Sequence, residues 1–174
     1  MLLIRQAAVY APEYLGVRDV LVCGGVIEAV EEQIEGELPF CKVIDGRGKK
    51  LTPGFIDPHV HITGGGGEGS FHTQVPPVKL SELLQGGVTS LVGLLGTDGI
   101  SRNMESLLAR GKALKEEGLT VYLCTGSYGY PSVTLTGDIR KDIMFVEEII
   151  GVKLALSDHR APNVTLDELV RLAS

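Results

Sequence analysis

Any excess of positive charge is missing: 16 Lys and Arg stand against 22 Asp and Glu, a net charge of -6. That balance excludes the large basic footprint with which a protein holds nucleic acid or an anionic lipid surface, so neither is an expected partner. No window approaches about 18 uninterrupted apolar residues, and no basic stretch precedes a long apolar run near Met1. Neither a membrane span nor an export signal is therefore expected. Cysteine is scarce. Cys23, Cys41 and Cys124 make an odd number without a C-x-x-C pair, which excludes a disulfide framework and a cysteine zinc knuckle and suits a reducing, cytoplasmic location. The chain is also too short for one architecture: a complete barrel of eight strand-helix units takes roughly 250 residues, and here there are 174.

What is present is ordinary globular composition, 44% hydrophobic and 22% charged, with enough apolar surface to bury a core. Aromatics amount to 5% with no Trp, but there are 23 glycines where about 12 is usual, so turns and close backbone approaches must be frequent. Residues 1–52 read as short strands at 2–10, 17–23, 26–30 and 41–44, separated by turns at Gly24-Gly25 and Asp45-Gly46, a small all-β module. Beyond them the period changes. A strand at 54–62 runs into a glycine tract, and residues 80–84 have helical spacing, stop at Gly86-Gly87 and feed a strand at 89–95. Ser101 is a candidate N-cap for a helix with Met104, Leu107, Leu108 and Leu114 on one stripe, ended by Gly118. A strand at 119–125, a helical piece around 143–148, a strand at 150–157 and a last helix opening at Thr165 complete four parallel βα units, whose strands should be buried on both faces.

Residues two apart in a strand point the same way, so Asp57, His59 and His61 share one face. Two imidazoles at the end of a first barrel strand can chelate a divalent cation; the same histidines could equally only hydrogen-bond. Lys153 is the one charge in the apolar run 149–156. Either it snorkels to the strand end, or burial keeps its amine neutral and able to take up carbon dioxide as a carbamate, an oxygen donor that could bridge two metal ions. The tract 64–69, four glycines followed by Glu68 and Gly69, lacks the Walker lysine and the G-x-G-x-x-G register, so a hinge is favoured over a phosphate cradle. Tyr128, after the third strand, could donate to a developing oxyanion or simply pack. Arg160, after the fourth, could clamp a carboxylate or be a surface charge. His72 and His159 read as ordinary polar residues, and the three cysteines as small hydrophobes in apolar strands.

Taken together, Pro53-Gly54-Phe55-Ile56-Asp57-Pro58-His59-Val60-His61, the tract 64–68, Gly93-Leu94-Leu95-Gly96-Thr97-Asp98, Thr125-Gly126-Ser127-Tyr128 and the run from Gly151-Val152-Lys153 through Ser157-Asp158-His159-Arg160 resemble the isoaspartyl dipeptidase (β-aspartyl peptidase) branch of the amidohydrolase superfamily. G-F-I-D-x-H-V-H alone marks only the superfamily; G-G-G-G-E with G-V-K-x-A-x-S-D-H-R marks the branch. The resemblance implies an α/β fold, the first half of a (β/α)8 TIM-type barrel with parallel strands at 53–174, preceded by a small β-sandwich part at 1–52. It further implies a metal-dependent hydrolase with two zinc ions. His59 and His61 would ligate one zinc and carbamylated Lys153 would bridge both, so that a bridging hydroxide attacks the side-chain amide carbonyl of a β-aspartyl dipeptide. Tyr128 would stabilise the oxyanion. Glu68, with backbone from Gly66 and Gly67, would hold the substrate α-amino group, and Arg160 and Thr97 would help bind its carboxylate end.

The family's two further histidines, its last-strand aspartate and the segment completing the β-sandwich have no counterpart before Ser174. The chain is therefore expected to be an N-terminal portion, inactive alone and prone to self-association through open sheet edges, and the complete enzyme a homo-oligomer. Two other readings compete. One is another carbamate-bridged amidohydrolase, a hydantoinase-like cyclic amidase or an acylase, against which Glu68 argues because a free α-amino group needs a carboxylate partner. The other is a non-catalytic structural fragment that pairs with a complementary half or with itself.

Overall fold

In the computed structural model, which describes residues 1–36, 38–160 and 163–173, the alternating first segment forms one five-stranded mixed sheet within a unit spanning Met1–Pro53. Strands β1 (Leu2–Tyr10), β2 (Tyr14–Cys23), β3 (Val26–Glu31) and β4 (Lys42–Asp45) lie in the order β3-β2-β1-β4, and β5 (Lys50–Leu51) adds to β1. The β2–β3 hairpin turns on Gly24 and Gly25 at φ 59° and 84°, the left-handed pair that a two-residue hairpin loop requires. β2 begins three residues before its apolar run because Tyr14 pairs with Tyr10 across the β1–β2 turn, ring centroids 5.0 Å apart. Between Ile4 and Ala7 the β1 register shifts. There Gln6 takes φ 55° and turns its N–H to Asp19 Oδ1 at 2.8 Å. The buried Asp19 carboxylate also accepts from Ile34 N at 3.0 Å and Arg5 Nη1 at 3.2 Å. Burial works to raise its pKa, yet these donors hold it below the ordinary carboxylate value.

The second unit, Gly54–Ser174, follows the strand-helix alternation of its sequence. Chain order runs β6 (Phe55–Val60), the short pair β7 (Gly65–Gly66) and β8 (Gln74–Val75), α1 (Leu80–Gln85), β9 (Val88–Gly93), α2 (Met104–Glu116), β10 (Thr120–Gly126), α3 (Ile139–Phe145), β11 (Ile149–Lys153) and α4 (Leu166–Ala173). β6, β9, β10 and β11 are parallel and neighbour one another in sequence order, the arrangement of the first four strands of a βα barrel. Ile62, Leu91, Leu95, Leu107, Leu114 and Leu123 are buried to within a hundredth of their surface. Glycine permits this closeness: a Cβ on Gly93 would stand 2.8 Å from Ile62 Cδ1, and one on Gly111 of α2 would stand 3.1 Å from Leu123. None of the helices among the described residues is long and apolar enough to cross a membrane.

Three further expected boundaries shift for identifiable reasons. Asn103, not Ser101, caps α2: its side chain accepts from Ser106 N at 2.9 Å and Ser106 Oγ accepts from Asn103 N, whereas Ser101 gives both its N–H and hydroxyl to Asp98. α3 starts at Ile139 rather than near 143, because Asp138 accepts from the N–H groups of Arg140 and Lys141 and so opens the helix four residues before the apolar run. β11 ends at Lys153, and Ile150 on it is 54% exposed. A strand paired on one side only, with β10 among the described residues, is not buried on both faces. Cys41 also lies outside a strand and is only half-buried.

The loop after β10 is tied down by one carboxylate. Asp142 is fully buried and accepts from Thr125 Oγ1 at 2.5 Å, Leu135 N at 2.9 Å, Thr136 N at 2.8 Å and Thr136 Oγ1 at 2.7 Å. Burial pushes its pKa up, but the hydroxyl and amide donors override this and leave it lowered. Asp142→Asn replaces an acceptor with a donor facing donors, and is expected to cost about 3 kcal/mol in urea unfolding at pH 7. A depressed native pKa gives stability that is present above the unfolded value of about 3.9 and lost as pH falls toward the lower native value. The gap between wild type and variant should therefore narrow below about pH 4, and a gap independent of pH would contradict the assignment.

Candidate active site

Parallel strands point one way, so the loops leaving β6, β9, β10 and β11 gather at one end of the sheet. β6 stops at Val60, placing His59 inside the strand and His61 just past it. The two rings meet edge to face with centroids 5.3 Å apart. His61 Nδ1 lies 3.2 Å from the carbonyl of Leu94. A carbonyl only accepts, so Nδ1 is the donor here, which in the neutral imidazole leaves the lone pair on Nε2, the arrangement that orients a metal-binding histidine. Gly96 borders this ring: a Cβ there would meet it at ordinary contact distance, 3.4 Å. The pKa of His59 is lowered, first by desolvation and then by the charges of Lys153 and His61, which favours the neutral, ligating form.

Lys153 thus comes close enough to His59 to shift it, and its Nζ stands 5.2 Å from the centroid of the Tyr128 ring. It is half-buried rather than enclosed, because β11 is covered on one side only. The set of two imidazoles with free ring nitrogens and one amine fits a divalent cation in donor chemistry, provided the amine is converted to an anionic oxygen donor. Among the described residues no group of three or more His, Cys, Asp and Glu side chains converges.

A cleft of about 580 Å³ is lined among others by Gly66, Gly67, Glu68, Thr97, Asp98 and Arg160, whereas His61 lines a second cleft of about 460 Å³ that shares Gly66 with it. Glu68 Oε1 accepts the Thr97 hydroxyl at 2.6 Å and Arg160 Nη1 at 3.3 Å. Thr97 first, and Arg160 after it, lower the Glu68 pKa. Arg160 Nη2 also donates to Tyr128 Oη at 3.3 Å, and its guanidinium carbon stands 5.4 Å from the Tyr128 ring centroid. The Tyr128 ring is therefore within reach of both the Lys153 amine and the Arg160 guanidinium. Glu68 and Arg160, expected to read opposite ends of a substrate, here touch each other, as opposite charges at a cleft rim do. His72 bonds locally to Ser70, and His159 is exposed, so neither joins the site. Burial raises the Cys124 thiol pKa against a smaller pull from Lys153.

Two residues of the site escaped sequence reading. Asp158 grips Arg160 through both oxygens, signalled only by the Asp-x-Arg spacing of a local turn. Arg102 has no sequence signal at all. Its guanidinium donates to the carbonyls of Thr63 at 3.2 Å, Gly65 at 3.2 Å and Val75 at 3.5 Å and to Asp98 Oδ2 at 3.3 Å, joining the glycine tract to the loop after β9.

The chain superposes on β-aspartyl dipeptidase from the thermophilic, keratin-degrading Fervidobacterium islandicum AW-1 with a TM-score of 0.93 at 47% identity, over 98% of this chain and 47% of that one. Against the same enzyme in complex with a β-Asp-Leu dipeptide the TM-score is 0.90 at 46% identity, over 98% of this chain and 45% of that one. A D-hydantoinase from Thermus sp. shares the fold, with a TM-score of 0.67 at 20% identity over 98% of this chain and 36% of that one. Among curated proteins, the dihydroorotase of Elusimicrobium minutum is 36% identical over 98 residues, 55% of this chain and 22% of that protein. No family model matches. The chain spans about half the length of the dipeptidase structures and less than that of the other relatives.

Arg102→Lys keeps the charge and loses the planar fork. Amide hydrogen exchange at Gly65, Gly66 and Gly67 is expected to quicken about tenfold while α2 exchanges as before. Unchanged protection of the tract would show that its conformation does not depend on Arg102.

Proposed function

We propose that this chain is part of a metal-dependent β-aspartyl dipeptidase of the amidohydrolase superfamily, a hydrolase that cleaves the side-chain amide linking aspartate to a second residue. The observation that carries this reading is the joining of Glu68, Thr97 and Arg160 on one carboxylate oxygen, in a chain that also pairs two imidazoles and is 47% identical to a β-aspartyl dipeptidase. On this reading residues 1–52 belong to a β-sandwich module, and residues 53–174 supply the first four βα units of the barrel. The unpaired cysteines suit a reducing cytoplasm, and we expect the complete enzyme to be a homo-oligomer.

His59 and His61 would hold one zinc through their unprotonated ring nitrogens, and Lys153, carbamylated by carbon dioxide with loss of a proton, would supply the oxygen donor shared with a second. The metal supplies a Lewis acid that polarises the scissile carbonyl and acidifies water. The chain's own residues do the rest. Glu68, held ionised by Thr97 and Arg160, binds the substrate ammonium, with the backbone of Gly66 and Gly67 closing on the same group. Arg160 and Thr97 receive a carboxylate. These two charges select a zwitterionic dipeptide over a capped amide through charge-assisted hydrogen bonds, which is also why a cyclic amide, lacking a free ammonium, fits the cleft less well. The Tyr128 hydroxyl, oriented by the Arg160 donor, directs its proton toward the oxygen that gains charge as the amide breaks.

Calorimetry of the chain with zinc and bicarbonate is expected to register metal uptake that His59→Ala or His61→Ala weakens. Because outer-shell partners alone cost tenfold to a hundredfold in affinity, loss of a ligand should cost at least about a hundredfold. Mixed with a polypeptide supplying the other half of the barrel, the chain should hydrolyse β-Asp-Leu and leave α-Asp-Leu intact. Absence of metal uptake, or equal cleavage of the two isomers, would refute the reading.

A further inference from the structure

The loop after β11 carries two opposite charges two residues apart, and only Arg160 has a role so far. We propose that Asp158 is a positioning residue, which limits the Arg160 guanidinium to one 3.3 Å contact with Glu68 and so leaves its outer edge available to a substrate carboxylate. The proposal rests on the dipeptide reading of the cleft.

Asp158 Oδ1 accepts from both the backbone N–H and Nε of Arg160, each at 2.9 Å, and Oδ2 accepts from Nη2 at 2.8 Å. One carboxylate therefore fixes the main chain and the side chain of the same arginine. The Nε–Nη2 edge is engaged in two parallel bonds, the geometry in which arginine and carboxylate bind most strongly and with least freedom. What remains is the Nη1–Nη2 end, and this is the part that reaches Glu68 and Tyr128, at 3.3 Å each.

Two carboxylates thus compete for one guanidinium. Asp158 has the shorter, doubled contact and a side chain 21% exposed, against one longer contact and 35% exposure for Glu68. The same Asp158 carboxyl, held far below its ordinary range by the Arg160 bonds, stays charged throughout the physiological range. Without that charge, the strongest remaining partner of the guanidinium is Glu68, and a full Glu68–Arg160 pair would remove both recognition charges from the cleft at once. His159, whose Nδ1 lies 3.7 Å from Asp158 Oδ1, is too exposed to replace Arg160 as its partner.

The test uses the isotopically labelled 174-residue chain, with β-Asp-Leu and its diamide, which keeps the ammonium and loses both carboxylates, as probes. In wild type the Arg160 Nε–H should give a slowly exchanging NMR signal, and β-Asp-Leu should bind more tightly than the diamide. Asp158→Asn is expected to abolish the protection of that signal and to weaken β-Asp-Leu by about tenfold, with the diamide unaffected; Asp158→Glu, which restores the charge, should recover most of the loss. A protected Arg160 signal in Asp158→Asn, or equal weakening of both probes, overturns the positioning role, the second because it marks a merely structural defect. A wild-type chain that binds neither probe overturns the dipeptide reading, and with it the part of the proposal that concerns a substrate carboxylate.

Discussion

Three loops of the parallel sheet meet on a single oxygen, Oε1 of Glu68. It receives the hydroxyl of Thr97 from the loop after β9 and the guanidinium of Arg160 from the loop after β11, while Glu68 itself belongs to the loop after β6. Such a meeting needs all strands to point the same way, because only then do their following loops share one end of the sheet. A carboxylate with two donors and one face toward solvent is held in place without being neutralised. The cleft owes its charge pattern to that balance.

The loops can meet there because their backbones are arranged by polar groups and not by regular structure. Arg102 ties the carbonyls of the glycine tract to the Asp98 loop, and His61 is oriented by the carbonyl of Leu94. Both bring a side-chain donor to a backbone carbonyl that is distant in sequence. The register of β6 against β9 breaks between Asp57 and Val60, and there the His59 N–H turns to Asp57 Oδ1 at 3.1 Å.

Buried carboxylates play the same part away from the cleft. Asp19 in the first unit and Asp142 in the second each accept several donors from irregular backbone, the bulge at Gln6 in one case and the loop at 135–136 in the other. Both remain ionised although burial opposes it, since the donors outweigh desolvation. Asp142 bonds Thr125 and so anchors the strand end from which Tyr128 departs. The support of the site therefore reaches into the core.

Much of this was legible before any coordinates. Alternation and helical spacing carry the order of strands and helices, because burial of one face imposes a period of two or 3.6 on the residues themselves. The pairing of His59 with His61 follows from the same local rule, and the local Asp138 and Thr165 motifs mark helix starts that the apolar run around 143–148 obscured in one case and the capping pair Thr165–Glu168 made plain in the other. What the sequence could not contain was the company that distant loops keep. Whether Lys153 faces the imidazoles, whether Glu68 touches Arg160, and that Arg102 and Asp158 belong to the site at all were decided by tertiary structure. Hydrogen bonds between residues 37 or 92 positions apart have no period to betray them, since they depend on where parallel strands end in space and not on what stands beside each residue in the chain.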